Sequence, residues 1–305
     1  MSIQQNWSTS AFDLAPIAPA VGPFPGRDWL QTWWSYRATG DLILAETGDS
    51  LVALTFENDR LEFAGGADLT DYHSPLGSED VAALAKAVVE VPSGAEVRLD
   101  SLPIEAAERV AVSLASIGLE SVTTQHTVTA VLELPDSFDE YLAGLAKKER
   151  HELRRKRRRF DSEIGPGFVE RRTGTAAVEL FADLHRRSAG DKGAFMTAEM
   201  EEFFGALHTA AGGVIDVLVD GTGRPASAVF SFEDGAGFYL YNSAYEPEVM
   251  HLSPGNVMLS HLIERAIDNQ LRVFDFLKGD EMYKFRLGAQ PRPLFVVETA
   301  TGGNR

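Results

Sequence analysis

The sequence contains no cysteine among its 305 residues. Disulfide bonds, thiolate metal ligands and a cysteine nucleophile are therefore all excluded. No apolar run approaches the roughly 20 residues that span a bilayer, and the N-terminus lacks a basic segment followed by an apolar core. From these absences we expect a cytoplasmic protein with no membrane partner.

Basic residues are scarce, with 28 Lys and Arg against 45 Asp and Glu and a formal net charge of -17. Nine of the 28 fall within the thirteen residues 147–159, which include only two acidic residues. The remainder carries 19 basic against 43 acidic side chains, a balance of -24. So dense a positive run on an acidic body is either reserved for an anionic ligand or neutralised inside the fold.

The length exceeds that of one ordinary hydrophobic core, and we expect two domains, 1–134 and 135–305. The seven histidines show no HExxH spacing, and there is no GxSxG, P-loop or GxGxxG sequence. Hydrolase, nucleotide-triphosphatase and dinucleotide-binding functions therefore lack support.

Hydrophobic periodicity predicts an α/β (α+β) protein whose two halves resemble each other loosely. In the first domain it predicts helices over 28–36, 81–91 and 104–117 and strands over 42–46, 51–56, 61–63, 96–99 and 126–134. In the second it predicts one helix from Ser137 to about Phe160, helices over 176–188, 197–211 and 257–269, and strands over 168–171, 214–219, 226–232, 237–243, 273–277 and 294–299. Ser137 or Asp136 is expected to cap the first of these helices, with Glu140 in its first turn.

Two segments in the second half carry candidate chemistry. Ser253-Pro254-Gly255-Asn256 precedes a helix, and free N–H groups at a helix N-terminus favour phosphate, although Ser and Pro are also ordinary helix-start residues. In residues 274–285, FDFLKGDEMYKF, an aspartate lies inside an apolar strand and must be hydrogen-bonded or lie at a sheet edge. The polar residues that follow Gly279 cluster around one turn, which could equally be a solvated loop.

These segments resemble a known family. Pro-Gly-Asn, a helix and FDFLKGDEMYKFR are similar to the C-terminal part of GNAT-superfamily acyltransferases of the CelD-like (cellulose-biosynthesis-type) group, which are related to Fem-type peptidoglycan aminoacyltransferases. The run AKKERHELRRKRRRF and the pair Asp71-Tyr72 are also similar. The resemblance implies two GNAT-like domains, each a mixed, mainly antiparallel sheet flanked by helices.

The resemblance also implies a reaction: acyl transfer from acyl-CoA to an amine or a hydroxyl. From it we expect an N-acyltransferase that uses acetyl-CoA and no metal, with an amine of a small-molecule or peptide as the acceptor. The resemblance places the pantetheine arm along the strand 239–244 and the pyrophosphate on the loop that follows. That loop departs from the common GNAT phosphate loop, since one Gly and a Pro replace two glycines. The implied cofactor-binding residues are Tyr241, Asn242, Ser243, Ser253, Pro254, Gly255 and Asn256.

An acceptor ammonium must lose a proton, and Asp275 is the first choice of general base. Tyr283 could protonate the leaving thiolate and Lys284 could stabilise the oxyanion. The alternative is that Asp275 and Lys284 only orient the turn.

Substrate binding is expected on the basic helix and around the turn. Arg150 and Arg154, which share a helix side with Arg157 and Arg158, would face an anionic group of donor or acceptor. The other predicted substrate-binding residues are Lys278 and Tyr72, the latter alternatively a core residue.

Two rival functions remain open. A Fem-type enzyme would take its acyl group from aminoacyl-tRNA, with the basic helix on RNA phosphates. A nonenzymatic nucleic-acid-binding protein is less favoured, because the acidic remainder would repel its ligand. Asp68, Asp71 and His73 could ligate a cation, but a surface loop is the favoured interpretation, and we expect no metal.

Overall fold

The computed structural model describes residues 7–78, 81–188 and 190–302. The chain divides into two compact units. The first unit runs to Thr129 and resumes at Arg292, and the second is Ala130–Pro291. The predicted domain border after residue 134 stays a prediction. None of the described helices is both long and apolar enough to cross a membrane.

The first unit packs helices against a mixed sheet with the strand order β1-β2-β3-β5-β12. β3 pairs with β5 in parallel, whereas β2 pairs antiparallel with β1, β3 and β4. α2 packs on β1 and β2, and α3 packs on β5 and α2. The elements are α1 (Arg27–Arg37), β1 (Asp41–Glu46), β2 (Ser50–Glu57), β3 (Arg60–Phe63), β4 (Leu76–Gly77), α2 (Ala82–Glu90), β5 (Glu96–Leu102), α3 (Ile104–Ser116), the larger part of β6 (Val122–Glu133) and of β12 (Gln290–Ala300), and a 3-10 helix, Ser10–Asp13.

The second unit has the strand order β6-β11-β10-β9-β8-β7. The pairs from β7 to β10 are antiparallel, and β10 pairs with β11 in parallel. The elements are α4 (Phe138–Gly144), α5 (Lys147–Ile164), β7 (Phe168–Arg172), α6 (Thr175–Arg186), α7 (Asp191–Phe195), α8 (Ala198–Ala210), β8 (Val214–Val219), β9 (Pro225–Glu233), β10 (Gly237–Tyr245), a 3-10 helix (Pro247–Leu252), α9 (Pro254–Asp268), β11 (Val273–Lys278) and α10 (Met282–Arg286).

Helices cover both faces of the sheet strands that belong to the second unit. α9 lies on one face together with α4 and α5, and its apolar side joins one core cluster with Leu153, Phe160 and Phe274. α6 and α8 lie on the other, where Phe204 and Phe230 pack edge to face at 4.9 Å between ring centroids. Because helices cover both faces, nearly all residues of β8 and β9 and most residues of β10 are buried.

A buried ion pair ties α9 to the sheet. The carboxylate of Asp216 on β8 is fully buried, and its Oδ1 accepts a hydrogen bond from Nη1 of Arg265 on α9 at 2.8 Å. Arg171 on β7 contacts the same oxygen at 3.4 Å. A charge buried this deeply needs such partners. The contact therefore fixes the position of α9, whose first residues belong to the candidate site.

The predicted mixed α/β fold with mainly antiparallel sheets and flanking helices is confirmed. The predicted single helix from Ser137 to Phe160 is wrong, because Leu145 and Ala146 are extended and separate α4 from α5. The Arg150 side chain satisfies the end of α4 at this break, since its Nη1 donates to the carbonyls of Leu142 and Ala143 at 3.1 and 3.2 Å. Ser137 caps α4 as predicted, accepting from the Glu140 N–H at 3.3 Å.

Candidate functional site

The strands β10 and β11 separate after a short parallel pairing. Gly237, Phe238 and Tyr239 lie opposite Val273, Phe274 and Asp275. Beyond Tyr239, β10 continues to Tyr245 while paired with β9, and within the described residues it has no further partner on β11. This edge of β10 therefore offers backbone N–H and C=O groups to an extended ligand.

Asp275 lies where the two strands part. Its side chain is 1% exposed, and its Oδ1 accepts a hydrogen bond from the Leu277 N–H at 2.7 Å. Leu277 has a positive φ of 60°, so the chain turns sharply after the carboxylate. The buried aspartate is therefore hydrogen-bonded, as its place inside an apolar strand requires.

Lys284 holds the end of β11. Its ammonium is 3% exposed and donates to the carbonyls of Leu277, Lys278 and Gly279 at 3.3, 2.6 and 3.2 Å, and it pairs with Glu281 at 2.9 Å. An ammonium has three donors, which these contacts use. These contacts fit the alternative stated in the sequence analysis, in which Lys284 orients the turn after β11.

The middle of β10 contains a bulge. Leu240 lies opposite Ser231 and Asn242 opposite Phe230, so β10 has one residue more than β9 between these pairs. Tyr241 packs against Phe204 of α8 at 5.6 Å between ring centroids. The Oδ1 of Asn242 lies 3.1 Å from Nε2 of His185 on α6. Burial, assisted by Lys192, lowers the pKa of His185, which is therefore neutral at pH 7.

The loop after β10 leads into α9. Ser253 adopts a left-handed conformation with φ 57° at the helix start, and Pro254 follows at the first turn. Ser253 is at the predicted capping position, but its side chain makes no capping hydrogen bond. The helix begins three residues before the predicted 257. Gly255 borders open space, since a Cβ placed there would meet no atom within 4 Å.

A cavity of about 370 Å³ lies beside the start of α9. That volume is within the range of about 300–1,000 Å³ usual for small-molecule sites. α5 forms one wall, and Asn256 of α9 and three residues around α10 form the other. The lining residues are Lys148, Glu149, Glu152, Leu153, Lys156, Asn256, Tyr283, Arg286 and Leu287.

The charged residues of the cavity wall are three cations, Lys148, Lys156 and Arg286, and two carboxylates, Glu149 and Glu152. Among the described residues, no carboxylate lies within ion-pair distance of Lys148, Lys156 or Arg286, whereas Glu152 is paired with Arg155 at 2.7 Å. Burial is the largest effect on Lys156 and lowers its pKa; the carboxylate of Glu152 opposes this shift, and the neighbouring Arg155 and Arg286 add to it. An anion bound here would oppose the effects of burial and of the neighbouring cations. The arrangement therefore favours an anionic ligand.

Tyr283 brings a phenol to the same cavity. Burial, together with the nearby carboxylate of Glu281, raises the pKa of Tyr283 to about 12. The phenol therefore keeps its proton at neutral pH and is a hydrogen-bond donor.

The basic run 147–159 divides its charges between the fold and the surface. Arg157 donates to Glu264 on α9 at 2.9 Å and lies over the ring of Phe138 at 5.6 Å. Arg150 caps α4, as described above. Arg154 and Arg158 are exposed and, among the described residues, form no ion pair. Of the four arginines expected to face an anion, two hold the helix in place.

The structure brings some predicted residues together and separates others. Asn256 and Tyr283 share the cavity. Asp275 lies outside its lining, on β11, as the last residue paired with β10. Tyr72 belongs to the first unit, where it is fully buried and bonded to Thr129 at 2.6 Å, the position of a core residue. Of the described residues, no group of three or more His, Asp or Glu side chains could hold a metal ion.

The sequence analysis missed His185, Lys148, Lys156 and Arg286. Lys148 and Lys156 lie in the basic run, but only packing distinguishes them from its other cations. Arg286 follows Tyr283 by three residues, a spacing that one helical turn brings to one side. His185 gave no local signal, because its partner is 57 positions away.

Residues 147–285 match the family model of the acetyltransferase (GNAT) domain, somewhat less than half of the chain. No curated protein sequence matches. The matched segment contains the basic run, the strands that separate and all cavity-lining residues except Arg286 and Leu287. The narrower CelD-like group stays a prediction.

Several solved structures are similar to this chain at low sequence identity. A conserved protein of unknown function from Bacteroides thetaiotaomicron has a TM-score of 0.68 at 12% identity, covering 95% of each chain. FemX has a TM-score of 0.64 at 12% identity, covering 97% of this chain and 96% of its own. L-PGS from Bacillus licheniformis has a TM-score of 0.60 at 12% identity, covering 91% and 92%. At such identities the likeness establishes the fold alone. The domain match and these folds together support an acyltransferase.

Proposed function

We propose that this protein is an N-acyltransferase that transfers the acyl group of acetyl-CoA directly to an amine of a small-molecule or peptide acceptor. One observation carries the proposal: a cavity with three cations in its wall lies between α5 and the helices α9 and α10, which follow β10 and β11 in the chain. The same two strands part after Tyr239 and Asp275. An acyl-CoA needs both features, a strand edge for its amide-bearing arm and cations for its diphosphate. The CelD-like grouping is part of this proposal.

The diphosphate would lie between α5 and the start of α9. Lys148, Lys156 and Arg286 supply positive charge there and, among the described residues, form no ion pair, although Glu149 and Glu152 line the same cavity. The N–H of Gly255 has no backbone acceptor in the described chain and lies near the positive end of the α9 dipole. The cations and the N-terminus of α9 therefore both favour binding of the diphosphate at this position.

The chemistry would take place near the separation of the strands. The acceptor nitrogen attacks the thioester carbonyl, a C–N bond forms as the C–S bond breaks, and the amine proton must leave. Asp275 is the carboxylate nearest this point on the strands, and it would take the proton directly or through water. The leaving thiolate takes up a proton from solvent and departs as CoA, and Asp275 then releases the amine proton to solvent.

Calorimetry with acetyl-CoA tests the donor site. Lys156→Gln and Arg286→Gln each remove one charged contact, about 1.5–3 kcal/mol, so we expect affinity to fall roughly tenfold or more. Arg154→Gln removes a charge from the same helix outside the cavity and should bind as the wild type does. No heat of binding with the wild-type protein would overturn the proposal.

A second pair of variants tests the approach to α9 without changing charge. Alanine at Gly255 meets no protein atom within 4 Å, so the fold should be retained while the methyl group crowds a bound phosphate. Gly235, equally open in the turn between β9 and β10, provides the matched alanine control. Equal acetyl-CoA affinity in both variants would place the diphosphate elsewhere.

Aminoacyl-tRNA is the second candidate donor, and the exposed face of α5 favours it. Lys147, Arg154 and Arg158 lie along that face and, among the described residues, form no ion pair. RNA bound there would lose affinity steeply between 50 and 200 mM salt. The discriminating result is Arg154→Gln: it should weaken tRNA binding under this alternative and leave acetyl-CoA binding unchanged under the first.

A further inference from the structure

The side chain of Asn242 is held at two points. Its Oδ1 accepts a hydrogen bond from the Ser243 N–H at 2.8 Å and lies 3.1 Å from Nε2 of His185. The β10 bulge places Asn242 on the α6 side of the sheet next to Tyr241, whose ring also faces the helices on that side. Bulges characteristically redirect a side chain in this way.

The donor and acceptor roles in this contact follow from the backbone. The Ser243 N–H can only donate, so the Asn242 atom that it contacts must be the carbonyl oxygen. His185 Nε2 must then carry the proton and donate to the same oxygen. His185 is 2% exposed and makes this bond from inside the α6 packing. Both acceptor positions of the Asn242 oxygen are therefore occupied.

The remaining polar atom of Asn242 is its amide nitrogen. Among the described residues no acceptor bonds this Nδ2, and it is not among the buried polar atoms that lack a partner. It is therefore a fixed N–H donor in contact with solvent, on the part of β10 beyond the separation from β11. An N–H donor at this position can bind an acceptor of a ligand lying along β10, such as a carbonyl oxygen.

We propose that His185 is a positioning residue that fixes Asn242 so that the Asn242 amide donates a hydrogen bond to an amide carbonyl of the acyl donor's pantetheine arm. This inference depends on the proposed function, since it takes an acyl-CoA as the ligand of β10. It assigns to a buried histidine an effect that reaches the ligand only through its neighbour.

The test compares two histidine replacements of similar bulk. His185→Gln keeps an N–H donor for the Asn242 oxygen, whereas His185→Leu has none. Titrations with acetyl-CoA and with S-acetylpantetheine, which lacks the nucleotide, should show the Leu variant binding both ligands roughly three- to tenfold more weakly, the effect of losing one neutral hydrogen bond. The Gln variant should bind within about twofold of the wild type, and thermal unfolding checks that both variants fold.

A double-mutant cycle separates positioning from general damage. Because His185 acts through Asn242, His185→Leu should add nothing in an Asn242→Ala background. Additive losses, or wild-type affinity in the Leu variant, would overturn the inference while leaving the proposed function intact. Failure of the wild-type protein to bind acetyl-CoA would overturn both. The cavity variant Lys156→Gln provides a contrast, since it should weaken acetyl-CoA binding but not S-acetylpantetheine binding.

Discussion

Arg150→Ala should loosen α4 without weakening acetyl-CoA binding. One nitrogen of this guanidinium donates to the carbonyls of Leu142, Ala143 and Leu145 at 3.1, 3.2 and 3.5 Å. A cation at a helix C-terminus contributes about 0.3–1 kcal/mol, and a hydrogen bond to a charged group about 1.5–3 kcal/mol when well buried. Arg150 is only half-buried, so we expect a loss of about 1–2 kcal/mol in the local stability of α4.

Hydrogen exchange of α4 peptides measures this loss, since about 1.4 kcal/mol corresponds to tenfold faster exchange in freely opening segments. Arg154→Ala is the matched control, because it makes the same change on α5 at an exposed site with no ion pair among the described residues. Tryptophan fluorescence would not serve, as all four tryptophans precede residue 35 and lie in the first unit. Equal α4 exchange in the two variants would refute the capping role, and a selective loss of ligand affinity in Arg150→Ala would restore the predicted binding role.

Two predictions concern the chemistry and are measured as thiol release from acetyl-CoA with an amine selected from a panel of acceptors. Asp275→Asn keeps the oxygen that accepts from Leu277, so it should fold and bind acetyl-CoA normally while turnover falls about 10²- to 10⁴-fold; unchanged turnover would remove Asp275 as the base. Because burial raises the pKa of Tyr283 to about 12, this phenol is a weak acid at neutral pH, and Tyr283→Phe should reduce turnover less than tenfold. A loss of a hundredfold or more would instead show that Tyr283 delivers the proton.

The strands of the second unit were predictable because their signals are local. β8 occupies the predicted residues 214–219, β9 extends its predicted strand by one residue at each end, and β10 extends its own by two residues at the C-terminal end. Alternating apolar residues and Asp-Gly turns specify such hairpins without reference to the rest of the chain. The break between α4 and α5 was not predictable in this way, since the Arg150 side chain that satisfies the end of α4 folds back onto it from the next helix.

The candidate site was predictable only in part. Asn256 and Tyr283 were found because a helix start and a polar turn after an apolar strand have recognisable residue types. Lys156 was missed because every cation of α5 has the same chemistry until packing buries some and exposes others. The contact between His185 and Asn242 likewise depends on a bulge that places the two side chains together. Sequence patterns therefore identified segments, and tertiary packing selected the residues within them.

Some cations of the basic run 147–159 hold the fold together and others line the cavity, and this division supports the anion-binding role that we propose for the run. Leu153 and Phe160 anchor α5 in the core, and Arg157 ties it to Glu264 on α9. Those contacts hold the two cavity walls at a fixed distance, so that Lys156 stays half-buried even though burial disfavours its charge. A lysine on a mobile helix would move its ammonium into solvent and avoid this desolvation cost. Glu264 neutralises Arg157, whereas Lys148, Lys156 and Arg286 form no ion pair among the described residues and would be available to the anionic donor that we propose.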